Sequence, residues 1–329
     1  MQHNLKILGR GRLCSVEAVF AFAAICCGMG VHGGLTARQP GFLVAAEQKS
    51  NSIVAIDARQ AGAPAWAWEW NAARDPGIAK GDLKHFYAPS DCKVISTKEG
   101  DAVLMIASGG NFAEISLATG RAVCYGHIGG NPHSITRLPS AGRVYATVSS
   151  ISHAVTLVDA TDNPFKPDLQ PKRAFPLYDA HGVEWDAKRA CLWALGGTNL
   201  VQFAWNEPQF ELRPVRSYDY RPIGSRSGHD LVPDGKGGYF LSTWKHLMHF
   251  SPDDGRFTVV LNQSEIKAYS PSATWGDAFT IVREVWWTDR IIVRKGGEER
   301  VIGPYPGAKF YKARWMEGGG SVAAGRRRH

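Results

Sequence analysis

Three histidines recur at one interval. His133 and His181 are 48 residues apart, and so are His181 and His229; Asp91 precedes His133 by 42. Each histidine sits in a short turn-like sequence, GNPHS, DAHGVEWD or SGHDLVPD. Residues repeated at the period of a structural unit occupy equivalent positions in successive units. Neutral imidazoles converging from neighbouring units suit Zn²⁺, Mn²⁺ or Fe²⁺, and Glu47, Gln48 or Asp91 could add an oxygen ligand. The same pattern also suits histidines that hydrogen-bond an adjacent unit and staple it in place. No HExxH or Cys-x-x-Cys spacing accompanies them.

The elements that must position these residues read as strands in groups of four. PSDCKVI, DAVLMIAS, FAEISL and AVCYGHI form one group, and four more follow over residues 132–178, 180–219, 228–262 and 266–303. Gly, Asn, Asp and Pro punctuate the gaps, as hairpin turns require. The N-terminal FLVAAEQ, SIVAID and AWAWEW are three strands, and AKFYKARWM near the C-terminus is one more. Together they complete a sixth group, so both chain ends close one blade and no sheet edge stays open. The expectation is an all-β, six-bladed β-propeller of four-stranded blades over residues 41–316, with seven blades as the fallback.

In such a ring the first strand of each blade lines the channel, and its start shares a mouth with the turn between the second and third strands. First-strand starts carry Asp91, the three histidines and the Lys267, Tyr269, Ser270 stretch; the closing strand carries Tyr311, Lys312 and Arg314. The second-to-third turns carry Glu47, Gln48, His153, Trp244, Lys245, His246 and Arg290. Lys245, Tyr269, Lys312 and Arg314 are the candidate catalytic residues, because Lys or Tyr can move a proton and Arg can neutralise a carboxylate. Trp244, Arg290 and Tyr311 are the candidate substrate contacts, and Trp244 could stack on a sugar ring or pack in the core. No GxSxG elbow is present, which argues against an acyl-enzyme serine mechanism.

The formal net charge of +8 concentrates at the ends. Lys6, Arg10, Arg12 and Arg38 face only Glu17 in the first 40 residues, and Arg326, Arg327 and Arg328 lie in the tail. The rest of the chain is close to neutral, which argues against nucleic acid as a partner. Residues 1–40 read as a leader: a basic start, then the apolar run Ala18 to Met29, too short to span a bilayer. The expectation is a secreted or periplasmic protein with no integral membrane span after signal removal. Residues 317–329 read as a flexible basic tail. Beyond the leader remain Cys92, Cys124 and Cys191, an odd and widely spaced set that suits buried apolar positions rather than a disulfide framework.

The segments AEQKSNSI, SDCKV, GNPHS, AHGVEWD, LWALGG and GHDLVPD resemble an uncharacterised family of secreted bacterial and fungal propeller proteins, from Phe42 to Met316. That resemblance implies the fold and no activity. More distantly, the histidine-rich mouth is similar to oligogalacturonate lyases and related polysaccharide lyases, where imidazoles and a Gln hold a divalent metal that engages a uronate carboxylate. By that likeness His133, His181, His229 and Gln48 would fill the metal-holding roles, although those lyases have seven blades. The resulting expectation is a metal-dependent, glycan-cleaving enzyme with no nucleotide cofactor, most plausibly acting by β-elimination at a uronate; hydrolysis at the same mouth stays open. The alternative is a non-catalytic propeller that binds glycan or protein on this face.

Overall fold

A computed structural model describes Leu35 and residues 38–165, 173–282 and 285–318. The leader, apart from Leu35 and residues 38–40, and all of the tail after Gly318 lie outside the described residues. Six four-stranded antiparallel sheets account for every named strand, and no α-helix occurs among the described residues. The inner strands Pro89–Thr97, Pro132–Arg137, Gly182–Asp186, Gly228–Pro233, Ile266–Ser270 and Phe310–Trp315 touch one another in sequence around the ring. This is a six-bladed β-propeller, as the repeat implied.

The closing blade is built from both ends of the chain. Phe310–Trp315 pairs antiparallel with Phe42–Glu47, Leu43 opposite Trp315 and Val44 opposite Arg314, and is the innermost strand of that sheet. Glu47 secures the seam: its carboxylate accepts the Lys309 N–H at 2.7 Å, and those of Lys49 and Ser50 at 2.9 and 2.7 Å. Trp315 is buried in the core of this blade, and its indole N–H donates to Gly276 O at 2.8 Å in the neighbouring blade. Alternating apolar residues from facing sheets fill the spaces between blades. Cys92, Cys124 and Cys191 are free thiols buried there.

Two local devices aim side chains at one mouth. The first is a left-handed residue at the entry to the inner strand, repeated in five blades: Ala88, Asn131, Asp179, Ser227 and Glu265, with φ of 51, 47, 50, 55 and 63°. Non-glycine residues rarely hold this conformation. The carbonyls of Ala88, Ser227 and Glu265 each accept an N–H from the second-to-third turn of their own blade, donated by Ser108, Trp244 and Val282. The second is a β-bulge two residues later. Pairing with the next strand skips Ser90, His133, His229 and Lys267. A bulge leaves its extra residue without a partner and re-aims it.

These landmarks correct the alignment of one blade. Ser90, two residues after Ala88, is the equivalent of His133, His181, His229 and Lys267. Asp91 stands one residue deeper, level with Ser134 and Asp230.

Candidate functional site

The aimed residues enclose a cavity of about 600 Å³ at the channel mouth. His133, His181, His229, Lys267 and Tyr311 form its polar wall, joined by Gln48, Asn131 and Ser150, while Trp244, Trp286 and Trp287 supply apolar faces. A mostly apolar concavity with a few convergent polar groups is the usual form of a small-ligand site.

The three imidazoles do converge. His133 and His181 stack with centroids 4.3 Å apart and planes 12° from parallel, and His229 meets His181 edge-on at 5.5 Å. His133 has a partner at each nitrogen: Tyr311 Oη lies 3.2 Å from Nδ1 and Ser150 Oγ 2.8 Å from Nε2. His181 Nδ1 donates to Asp179 O at 3.0 Å, which makes Nε2 its lone-pair nitrogen. Lys267 Nζ lies 3.3 Å from His229 Nδ1; the ammonium form donates to it, which leaves the His229 proton on Nε2. Burial and the charge of Lys267 hold His181 down at about 3 and His229 well below its ordinary value. Burial and the neighbouring His181 and Lys267 do the same to His133. All three are therefore neutral near pH 7.

Lys267 is 3% exposed, and its ammonium lies 4.6 Å from the Tyr311 ring centroid and 5.6 Å from that of Trp286. Burial and then the charge of Lys312 lower it to about 7, against the opposing pull of Asp230 and Asp179.

A second tier of charge lies beneath the imidazoles. Arg314 Nη2 meets Asp230 Oδ1 at 2.7 Å and Asp91 Oδ1 at 2.8 Å, and its Nη1 meets Asp230 Oδ2 at 3.0 Å. Lys312, fully buried, reaches Asp230 Oδ1 and the carbonyl of His133, both at 3.1 Å. Lys93 pairs with Glu184 at 2.7 Å and approaches Asp91 at 3.7 Å. Three cations thus face three carboxylates, and charge balance makes the burial tolerable. Burial pushes Asp91 and Asp230 upward, but Arg314 and Lys312 outweigh it and hold both below the ordinary carboxylate range.

The candidates read from the sequence divide accordingly. His133, His181, His229, Gln48, Trp244 and Tyr311 line the cavity. Lys312, Arg314 and Asp91 form the buried tier below it. Lys245 borders an adjoining groove with Arg221 and Arg226. Tyr269 packs among Phe240 and Phe279, with its hydroxyl bonded to Asp277. Arg290 pairs with Asp289 at 2.7 Å. Glu47 closes the ring. The pattern did not single out Lys267 as a site residue, nor Asp179, Ser150, Trp286 or Trp287. Lys267 had a usable signal, two residues after Glu265 as His229 is two after Ser227. The tryptophan pair lies in the second-to-third turn of its blade, between Asp277–Ile281 and Ile291–Lys295, which is longer than the same turn in the other blades.

The donor set fits a divalent metal poorly. Parallel stacking of His133 and His181 keeps their lone pairs from meeting at one point, and an amine already occupies His229 Nδ1. Asp91 is committed to Arg314, and Glu47 to backbone N–H groups. Gln48 Nε2 donates to Pro89 O at 3.1 Å, which leaves one amide oxygen. Among the described residues no group of three or more His, Cys, Asp or Glu is arranged to hold a metal ion.

Fold and mouth together define a six-bladed propeller with a cavity at one mouth over a buried charge cluster. The chain belongs to the family of unknown function DUF6528, whose model matches residues 40–321. No curated protein matches it. Among solved structures, a protein of unknown function from Bacteroides caccae is 13% identical, with 84% of this chain and 98% of that one covered and a TM-score of 0.54. A functionally unknown protein from Desulfotomaculum acetoxidans is 10% identical over 85% and 89%, with a TM-score of 0.52. The Cps50 (Swd1) β-propeller domain of Myceliophteria thermophila is 13% identical over 81% and 82%, with a TM-score of 0.50. At these identities the likeness concerns the fold alone. No helix among the described residues is long and apolar enough to cross a membrane.

Proposed function

We propose that the mouth cavity binds a small polar ring, a glycan residue of the uronate class, and that Lys267 with His229 moves a proton on it. The observation that carries this reading is the Lys267–His229 contact of 3.3 Å in the cavity wall. An amine titrating at about 7 is half neutral at neutral pH, so it can take up a proton and return it. Trp244, 47% exposed at the rim, offers a face for a sugar ring. β-Elimination at a uronate needs such a base. The proton at C5 leaves to the amine, the C4–O bond breaks, and the departing oxygen needs a proton, which the His229 Nε2–H supplies as Nδ1 takes the proton back from the Lys267 ammonium. The proposal takes the protein to be exported, where it would meet extracellular glycan.

The test is a screen of uronate-containing polysaccharides, followed by the ultraviolet absorbance of the unsaturated product. Cleavage by the native protein and its loss in Lys267→Met would support the reading. Full activity in that variant would overturn it. A non-catalytic role is favoured by one feature: both nitrogens of His133 already have protein partners, which suits a fixed recognition surface. Binding without cleavage, weakened in Trp244→Ala, would select that role.

A further inference from the structure

Lys267 is the only lysine among the described residues that line the mouth cavity. Its surroundings differ from those of a lysine held as a permanent cation. Its ammonium meets a neutral imidazole nitrogen, His229 Nδ1, at 3.3 Å, and aromatic faces of Tyr311 and Trp286 flank it. The carboxylates of the tier below are committed to Arg314, Lys312 and Lys93. Asp179, the one acid on the cavity wall, lies within 3.4 Å of His181. A desolvated amine beside a second cation is the arrangement that turns lysine into a nucleophile. We propose that Lys267 forms an imine with a small carbonyl compound, an open-chain aldehyde or ketone, bound in this cavity.

The step balances with groups at hand. The Nζ lone pair attacks the carbonyl carbon, and the C=O π pair moves to oxygen, which takes a proton from solvent. Nζ loses a proton to His229 Nδ1, giving a carbinolamine. The carbinolamine hydroxyl takes that proton back from His229 and leaves as water as the C–O bond breaks, and the nitrogen lone pair completes the protonated C=N. The apolar walls of Trp244, Trp286 and Trp287 limit the water that would hydrolyse the product. Tyr311 Oη is engaged with His133 and is not needed as a donor.

This inference uses the cavity and amine of the proposed function but not its glycan substrate. Its readout is a covalent mass change, so either reading can fail alone.

The experiment incubates the full chain at pH 7 with glyoxylate and cyanoborohydride, which reduces an imine to a stable carboxymethyl amine, followed by intact mass and peptide mapping. A lysine with an ordinary pKa is neutral at pH 7 about a thousandfold less often than one titrating near 7. Lower basicity offsets part of that advantage, so Lys267 is expected to label at least about tenfold faster than any other lysine. Mapping separates this adduct from one on the α-amino group. Lys267→Arg should abolish the site-specific adduct. Labelling spread evenly over surface lysines, or no adduct on Lys267, would overturn the proposal. Because mapping of the native chain decides the matter, a variant that fails to fold does not remove the test.

Discussion

Replacing Arg314 by Met tests whether the buried charge tier holds the mouth together. The guanidinium makes three short contacts to Asp230 and Asp91, between 2.7 and 3.0 Å, and a fourth bond to the Cys92 carbonyl at 3.1 Å. Its removal leaves two buried carboxylates short of positive charge. Asp230 keeps Lys312 at 3.1 Å, and Asp91 keeps the Ser134 hydroxyl at 2.6 Å and its bond from the Cys92 N–H at 3.0 Å. The loss should therefore fall near that of one broken buried pair rather than two, about 3–5 kcal/mol. With a urea m-value of about 3 kcal/mol/M, the midpoint should drop by roughly 1–1.7 M.

The pH dependence sharpens the test. In the native protein both carboxylates titrate below their unfolded values, so their contribution is complete above about pH 4 and is lost as pH falls through the folded values. Without Arg314, burial dominates and both titrate higher. The variant then gains by protonation above about pH 4, where the native contribution is still complete, so the deficit should narrow between pH 7 and about pH 4. Arg221 is a control, because it grips Asp219 at 2.7 Å in similar forked geometry with its side chain 67% exposed. Arg221→Ala should leave the urea midpoint essentially unchanged. A deficit for Arg314→Met below about 1 kcal/mol, or one that stays constant with pH, would refute this account.

Two further outcomes follow from the same geometry. The imidazoles of His133, His181 and His229 should take up no proton between pH 5 and pH 8, read from their ring ¹⁵N shifts, whereas a solvated histidine protonates at about 6.5; smaller shift changes near pH 7 from the Lys267 titration are expected. Their folded values lie below the unfolded one, so their contribution is full above about pH 6.5 and declines on acidification; a ring protonating near 6.5 would contradict the burial argument. Deleting Lys309 to Met316 removes the innermost strand of the closing blade and uncovers Phe42–Glu47, so soluble expression should collapse, whereas Trp315→Ala should fold with a loss of about 3–5 kcal/mol. A normal melting curve for the deletion would disprove the closure.

The sequence by itself determined the ring. Strand groups, turn residues and the three-plus-one split of the termini are local or periodic features, and a propeller stacks near-identical units, so period implies architecture. It also placed His133, His181 and His229 at equivalent heights, because one-blade spacing transmits position along the axis. The tertiary structure alone decided what those residues do. Period is blind to a bulge: the residue skipped at Ser90 put Asp91 in the buried tier and not in the ring of imidazoles. It is equally blind to rotamer, and the stacking of His133 on His181 set the direction of their lone pairs. Lys312 and Arg314 read as candidates for catalysis because cations near a channel suggest substrate contact. Their carboxylate partners, Asp91 and Asp230, lie 82 residues or more away in sequence and meet them only when the ring closes. Lys267 became a site residue for the same reason. Its chemistry depends on His229, Tyr311 and Lys312, three neighbours from two other blades, and no local pattern specifies a residue's desolvation.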